Sequence, residues 1–301
     1  MKKSFLFIIA VAASVFLFNA CKSSNYIEDN YEINLNYIKN CEQYTSDGPE
    51  IKKEYRVDQA RAAEIREYFK ENTALNLDEL AASSKTTWEK SIELAVFVAK
   101  NIPHNNQKEF LVHRNAITLW EYSRRVPTGF NCRWHATLLS ELLLSIGIRN
   151  HFVTCLPYDE NDGDCHVVNV IWLPELNKWA MLDSDMVEYV TGKDDIPLSL
   201  QEMREYIQND KEFTINVLPG LESSWVAKDS GKKYLKAYWT KNLYWFELYT
   251  VYTFGLESEY NEDGTNVFGP YYIKLVPPGF DSTAVYNKNQ ITSNAQEFWS
   301  Y

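Results

Sequence analysis

The chain has 301 residues, a formal net charge of −11, and 45% hydrophobic and 15% aromatic residues. Such an acidic chain is a poor candidate for binding nucleic acid. Its apolar content is typical of a globular protein, and five cysteines are too few for a disulfide-dependent scaffold of this length. Composition therefore indicates a folded protein whose partners are not nucleic acids.

Residues 1–20 predict a cleaved secretory signal. Lys2 and Lys3 precede an apolar stretch, Phe5 to Phe18, that is too short for a membrane span. The junction Leu17–Cys21 resembles a relaxed bacterial lipobox, which would make Cys21 the lipidated first residue; an ordinary signal peptide is the alternative. We therefore expect an exported protein of the bacterial cell envelope, attached to a membrane by acyl chains alone, with residues 21–45 as its lipidated tether.

Helices are predicted along the chain up to residue 124. Apolar residues recur at helical spacing from Val57 to Lys70 and from Asn76 to Ile102, the second stretch forming one or two helices. Pro103 ends this run, and residues 115–124 predict a short helix. His104 and His113 are interpreted as loop histidines.

The stretch from Gly129 to Ile148 is the most informative part of the sequence. Asn131 is a good N-cap, Gly147 is a typical C-terminal stop, and the residues between them are apolar on almost every side. Cys132 is thereby placed on the first turn of a buried helix, where unpaired backbone N–H groups and the helix dipole favour a thiolate. An inert core thiol is the alternative interpretation.

Strands are predicted after this helix. Ile148 to Leu156 forms one, and Cys165 to Leu173 and Lys178 to Asp183 form a hairpin. The short turn places His166 opposite a residue near 183–185, where Asp183 is the first choice of partner and Asp185 the alternative. Cys155 and Cys165 flank one polar loop; free thiols are the first interpretation for them, and a disulfide between them is the alternative.

The C-terminal third combines a short helix with aromatic segments. Ser199 to Glu202 has capping-box spacing and opens a helix to about Gln208. The aromatic stretch from Tyr234 to Phe254 is interpreted as core strands, followed by a strand at Tyr271 to Val276. The tail, residues 281–301, is polar and is predicted to be loosely packed.

Three separated elements together resemble the transglutaminase-like domain, a branch of the papain-like cysteine hydrolases. The matching residues lie within about 90–190 and comprise Cys132, Ala136, Leu138, Leu139, Gly147, Ile148, His166, Trp179, Leu182 and Asp183. The resemblance implies an α+β fold in which the cysteine helix packs on an antiparallel sheet that carries histidine and aspartate. We expect that domain to span residues 46–280, with N-terminal helices and an aromatic-rich β extension over 191–280.

By this resemblance, Cys132, His166 and Asp183 form a catalytic triad. The oxyanion donors would be the backbone N–H of Cys132 and a side chain, with Trp120 and Gln107 as candidates. His135 follows Cys132 by one helical turn, but nothing else clusters with this pair, so we expect no metal site and a structural role for His135.

The implied function is a thiol enzyme that acts on amide bonds outside the cytoplasm. We expect a hydrolase, either a peptidase or an amidase, that forms a thioester on Cys132 and needs no cofactor. Its substrate would be a peptide, protein or peptidoglycan-type amide. The alternative is a non-catalytic surface lipoprotein that uses the same fold to bind peptide or glycan.

Overall fold

The computed structural model describes residues 26–106, 113–126, 128–280 and 290–301. Four predicted features lie outside these residues: the signal, the candidate lipidation residue Cys21, the oxyanion candidate Gln107 and the first part of the tail. None of the described helices is long and apolar enough to span a membrane.

The fold is mixed α+β. Its α-helices, in chain order, are α1 Tyr31–Asn40, α2 Gln59–Asn72, α3 Leu77–Ala82, α4 Thr87–Asn101, α5 Ala116–Arg125, α6 Cys132–Ser145, α7 Leu200–Gln208, α8 Asp229–Asn242 and α9 Ala295–Phe298. Its strands are β1 Glu54–Tyr55, β2 Asn150–Leu156, β3 His166–Leu173, β4 Lys178–Leu182, β5 Glu188–Thr191, β6 Thr214–Val217, β7 Trp245–Tyr249, β8 Val251–Tyr252, β9 Tyr272–Leu275 and β10 Ile291–Thr292.

A six-stranded sheet runs through the molecule in the order β10-β9-β7-β2-β3-β4. Its pairs are antiparallel except β10 with β9. The predicted hairpin is present, with Asn169 opposite Leu182 and Leu173 opposite Lys178. Positive φ at Asn177 closes the turn between its strands.

Helix α6 lies between the sheet and the N-terminal helices. It contacts β2 and β3 on one side and α2, α4 and α5 on the other. From Trp134 to Ser145 every residue of the helix is buried, as the all-round apolar pattern predicts. Asn169 on β3 donates from Nδ2 to the Ala136 carbonyl oxygen at 3.0 Å, which fixes the helix on the sheet.

The predicted helices before Cys132 are present, and their caps explain their boundaries. Asp58 caps α2, and Thr86 forms a capping box that starts α4. The stretch from Asn76 to Ile102 is consequently two helices, since Thr86 opens the second one.

The aromatic segment differs from the expected strands. Residues up to Asn242 form helix α8, which buries Tyr238 and Trp239, and the strands are Trp245–Tyr249 and Val251–Tyr252. Tyr234 and Tyr238 are one helical turn apart and their rings stack with centroids 5.6 Å apart. Aromatic density signals burial, but it does not by itself distinguish a helix from a strand.

Two segments predicted to be loose are packed. Within the expected tether, residues 31–40 form α1, whose Ile38 is fully buried, and α1 contacts α7 and α8. Within the expected polar tail, β10 extends the sheet and Phe298 is buried. A few apolar side chains in each polar segment are enough to dock it on the body of the protein.

The alternative of a disulfide is absent from the structure, since Cys155 and Cys165 are both free thiols. Cys155 pairs with His166 across β2 and β3. Side chains alternate along a strand, so Cys165 lies on the opposite face of the sheet from its neighbour His166. Cys155, the cross-strand partner of His166, shares the face of His166 and is therefore also opposite to Cys165.

Candidate active site

Cys132 is the first residue of α6. Asn131 accepts a hydrogen bond at Oδ1 from the Trp134 N–H at 3.1 Å, and its carbonyl accepts from the His135 N–H. The N–H groups of Cys132 and Arg133 belong to the first turn, which has no preceding carbonyls to bind. The thiol is therefore placed beside backbone donors at the positive end of the helix dipole.

His166 opens β3 and faces Cys132. Cys132 Sγ, a ring nitrogen of His166 and a carboxylate oxygen of Asp185 all lie within 4.8 Å of one another. His166 Nε2 is 2.6 Å from Asp183 Oδ2, and both side chains are buried. With Nε2 engaged, Nδ1 is the nitrogen left to exchange a proton with the thiol.

Asp183 is fixed by the chain that follows it. Its Oδ1 accepts hydrogen bonds from the Asp185 N–H at 2.8 Å and the Met186 N–H at 3.0 Å, while Oδ2 binds His166. The first-choice partner of His166 is therefore the one in contact, and Asp185 is not. Both oxygens of Asp183 are used, which sets the plane of its carboxylate.

The electrostatics around His166 favour an imidazolium. Burial alone would lower the pKa of His166, but the charge of Asp183 and hydrogen bonds with Asp183 and Cys132 outweigh it and raise that pKa well above the usual value. The ring also packs edge-on against Tyr238 and Trp239, with centroids 5.4 Å and 5.5 Å away. The aromatic helix α8 thus forms one wall around the histidine.

Glu188 is a second buried carboxyl behind the triad. Its Oε1 accepts from Trp239 Nε1 at 2.8 Å, whereas Oε2 has no hydrogen-bond partner among the described residues. Burial, together with the charge of Asp183, raises the pKa of Glu188 well above its usual range. Burial at this position therefore disfavours the charged form of the Glu188 carboxyl.

Asp185 belongs to a separate pair with His104. His104 Nδ1 lies 2.8 Å and 3.0 Å from the two oxygens of Asp185, and His135 Nε2 lies 3.5 Å from Oδ1. The hydrogen bond with Asp185 raises the pKa of His104, although burial acts against it. His104 is consequently not a simple loop histidine, and the buried His135 faces a carboxylate.

The structure brings together Cys132, His166 and Asp183, the three residues named from the sequence, whereas the environment of His104 was not predicted. The hairpin register was enough to bring His166 to Asp183, whereas no local pattern links His104 to residues 130–132. Trp120 does not serve as the oxyanion candidate, because its ring packs against Phe69 and Phe97 in the helical core. Glu188 carried no sequence signal beyond being a charged residue at the start of a short strand.

The chemistry of the donor set bears on whether the site holds a metal. Cys132, His166 and Asp185 offer sulfur, nitrogen and oxygen atoms of the types that bind zinc. However, Asp183 already holds Nε2 of His166, and His104 binds both oxygens of Asp185. These hydrogen bonds favour acid–base chemistry, so we do not assign these residues as metal ligands.

Comparisons with known proteins identify no family for this chain. No protein-family model matches the chain, and no curated protein matches it. One solved structure, described as "a putative cysteine protease from Cytophaga hutchinsonii", is 12% identical with a TM-score of 0.31; the match covers 54% of this chain and 51% of that one. The chain thus spans about half the length of that protein, and a TM-score this low does not establish a shared fold.

A thiol at a helix N-terminus, an imidazole beside it and a buried carboxylate behind the imidazole form a Cys–His–Asp group. Such a group fits a thiol hydrolase in general terms.

Proposed function

We propose that this protein is a transglutaminase-like thiol hydrolase that cleaves amide bonds. The observation that carries the proposal is the line of contacts from Cys132 through His166 to Asp183, with Nε2 and Oδ2 2.6 Å apart. Helix α6 packs on an antiparallel hairpin that bears the other two residues, and this agrees with the order of motifs in the sequence. The papain-like arrangement is part of the proposal.

In the proposed reaction, Cys132 first bonds to the acyl group and later leaves it, and His166 first donates a proton and later accepts one. Cys132 Sγ attacks the amide carbonyl carbon, so an S–C bond forms and the carbonyl π electrons move to oxygen. The tetrahedral intermediate then collapses, the C–N bond breaks, and His166 gives its proton to the departing amine. Water, deprotonated by His166, attacks the thioester and releases the acid and the thiol.

Asp183 acts through His166. Its carboxylate holds Nε2–H, keeps Nδ1 directed at the thiol and stabilises the imidazolium formed when the thiol loses its proton. No bound cofactor takes part in this scheme. The substrate class that we propose is a peptide, protein or peptidoglycan-type amide.

The proposed setting is the bacterial cell envelope. It rests on the signal-like residues 1–20 and on Cys21 in a lipobox-like sequence. Intact-mass analysis of the protein from a bacterial membrane fraction tests this part. A mature chain that starts at a diacylated Cys21 supports it, and a chain that starts elsewhere without lipid contradicts it.

Acyl transfer to Cys132 tests the enzymatic part. We expect p-nitrophenyl acetate to release p-nitrophenolate and leave an acetyl group on Cys132, detected by peptide mass spectrometry. Cys132→Ser should abolish the acetyl adduct, and His166→Ala should slow it about 10²-fold or more, the usual contribution of general acid–base catalysis. A parent protein without acetylation at Cys132 would contradict the enzyme and favour a binding module.

The acceptor is settled in a second assay. A protein substrate is incubated with a fluorescent primary amine, and both released carboxylic acid and incorporated amine are measured. Hydrolysis predicts release in excess of incorporation, whereas dominant incorporation would make the protein a cross-linking acyltransferase. Cys132→Ser should abolish either product.

A further inference from the structure

His104 is held next to Phe130, two residues before Cys132, although it is distant from both in sequence. The segment around it runs alongside the residues that precede Cys132: the Phe130 N–H donates to the Pro103 carbonyl at 2.9 Å, and the Asn105 N–H donates to the Phe130 carbonyl at 2.7 Å. These two bonds form a parallel bridge that sets His104 level with Phe130. His104 is thereby held just before the start of α6.

Gly129 makes this close approach possible. Its φ is +91°, and a Cβ built on it would lie 2.2 Å from the Pro103 carbonyl oxygen. Any other residue at position 129 would therefore push the two segments apart. The glycine that precedes the cysteine in the motif thus has a positional role, since it lets the His104 segment close on the nucleophile.

Asp185 fixes the ring of His104. The side chain of Asp185 is 1% exposed and that of His104 is 40% exposed, so a buried carboxylate holds Nδ1 of a ring that reaches solvent. An oxygen of the same carboxylate is within 4.8 Å of Cys132 Sγ. With Nδ1 held, Nε2 is the nitrogen that a bound substrate can reach.

Resting on the proposed function, we propose that His104 Nε2 donates a hydrogen bond to the acyl oxygen of the substrate. It would be the second oxyanion donor, beside the backbone N–H of Cys132. As Cys132 Sγ bonds to the carbonyl carbon, the electron pair that moves to oxygen is held by these two N–H groups. When the C–N bond breaks, that pair re-forms the carbonyl and both donors stay protonated.

The charges around His104 support a protonated ring. Its facing groups are Asp185, Asp183, His166 and His135, two carboxylates and two imidazoles. The bond with Asp185 raises the pKa of His104, whereas burial lowers the pKa of His135. This shift favours the imidazolium form of His104, and an imidazolium held at Nδ1 by Asp185 still has a donor at Nε2.

The test compares two reactions of one thiol. Iodoacetamide alkylates Cys132 with loss of iodide and forms no oxyanion, whereas p-nitrophenyl acetate acylates it through a tetrahedral oxyanion. The measured quantity is the ratio of the acylation rate to the alkylation rate in the parent protein, His104→Ala and His104→Gln. Exposed His113, whose Nδ1 contacts the Ser258 carbonyl, provides the control variant His113→Ala.

We expect the ratio to fall about 10²-fold in His104→Ala, the usual loss for one oxyanion donor. His104→Gln should restore part of the ratio through its neutral amide N–H. The acylation rate of Cys132 in the parent should fall at alkaline pH as the His104 imidazolium loses its proton. This fall should be smaller in His104→Gln. His113→Ala should behave like the parent.

Three outcomes overturn the proposal. The first is an unchanged ratio in both His104 variants while the parent reacts normally, which leaves the proposed function intact. The second applies if His104→Ala fails to fold. It is a His104→Gln variant with the parent's ratio of acylation to alkylation rate and the parent's fall in acylation rate at alkaline pH. The third is a parent Cys132 that neither alkylates nor acylates, in which case the proposed function fails as well.

Discussion

At the scale of single residues, the site depends on which oxygen of Asp183 binds which donor. Oδ1 takes two backbone N–H groups, and Oδ2 takes His166 Nε2. This division means that an isosteric amide cannot replace the carboxylate without a change in the protonation of the histidine.

Asp183→Asn is therefore expected to inactivate the thiol. The amide oxygen will keep the two backbone N–H groups, so the amide NH₂ faces Nε2 and forces the imidazole proton onto Nδ1. A ring protonated at Nδ1 and holding a donor at Nε2 cannot accept the thiol proton. We expect acetylation of Cys132 at pH 7 to slow about 10²-fold or more.

The control for this variant is Asp47→Asn at an exposed position, which should react like the parent. Acetylation of Asp183→Asn at the parent rate would contradict the role given to Asp183. Circular dichroism of each variant verifies that the fold is retained.

At the scale of elements, the N-terminus of α6 is positioned from three directions. Asn131 caps the helix, Asn169 on β3 binds its Ala136 carbonyl, and the segment at Pro103 crosses Gly129. Of these contacts, the crossing at Gly129 tolerates an added side chain least, because the Pro103 carbonyl oxygen belongs to the backbone and cannot move aside as a flexible side chain can.

Gly129→Ala and Gly147→Ala form a matched pair. Both glycines have positive φ, +91° and +78°, but a Cβ at Gly147 would meet nothing within 4 Å. We expect Gly147→Ala to lower the free energy of unfolding by about 1 kcal/mol, the strain of a non-glycine residue in this region. Gly129→Ala should lower the free energy of unfolding by about 1–3 kcal/mol more than Gly147→Ala, because steric overlap in a packed site costs about that much.

Urea unfolding monitored by tryptophan fluorescence measures both losses. Equal losses in the two variants would show that the Pro103 crossing adds no constraint. A larger loss at Gly129 should be accompanied by slower acetylation of Cys132, because the start of α6 and His104 are displaced together.

At the scale of the whole molecule, the core contains ionisable groups whose state changes with pH. Glu188 is fully buried, and its pKa is raised well above the usual value by burial and by the charge of Asp183. A carboxyl with a raised folded pKa stabilises the protein below its unfolded pKa, near 4, and this contribution is lost as pH rises toward the folded pKa.

Glu188→Gln should therefore gain stability relative to the parent as pH rises. The amide oxygen keeps the bond from Trp239 Nε1, and no proton has to be retained. Between pH 5 and pH 8 the gap in unfolding free energy should widen by about 1 kcal/mol or more, since each pKa unit is worth about 1.4 kcal/mol. Glu71→Gln, at an exposed helix position, should show no such widening.

If the curves of unfolding free energy against pH run parallel for the parent and Glu188→Gln, the role given to Glu188 is contradicted. The same urea titrations at each pH supply both curves. Comparison of the two proteins at one pH removes the contributions of all other titrating groups.

How much the sequence could predict depended on how local each signal was. The cap at Asn131, the apolar surface of α6 and the short hairpin turn are local, and they located Cys132, His166 and Asp183. Proximity to one loop left a disulfide between Cys155 and Cys165 open as an alternative, whereas the alternation of faces along the strands separates the two thiols.

The remaining differences come from long-range packing. His104 meets Asp185 only because two loops cross at Gly129, a contact that no periodicity encodes. Helices α1 and α9 lie in polar segments and are held by a few apolar side chains, including Ile38 and Phe298. Tertiary contacts of this kind override local composition.

The proposed reaction requires Cys132 and His166 to form a working thiolate–imidazolium pair. The measurement that tests it most directly is the pH dependence of Cys132 alkylation by iodoacetamide in the parent and in His166→Ala. Cys41, Cys155 and Cys165 are internal references, and burial raises the pKa of both Cys155 and Cys165.

We expect Cys132 to be alkylated near pH 6 much faster than the three reference cysteines, and His166→Ala to abolish this difference in rate. Cys132 that reacts no faster than an ordinary thiol, or equally fast without His166, would contradict the pair and leave a structural cysteine at the start of α6.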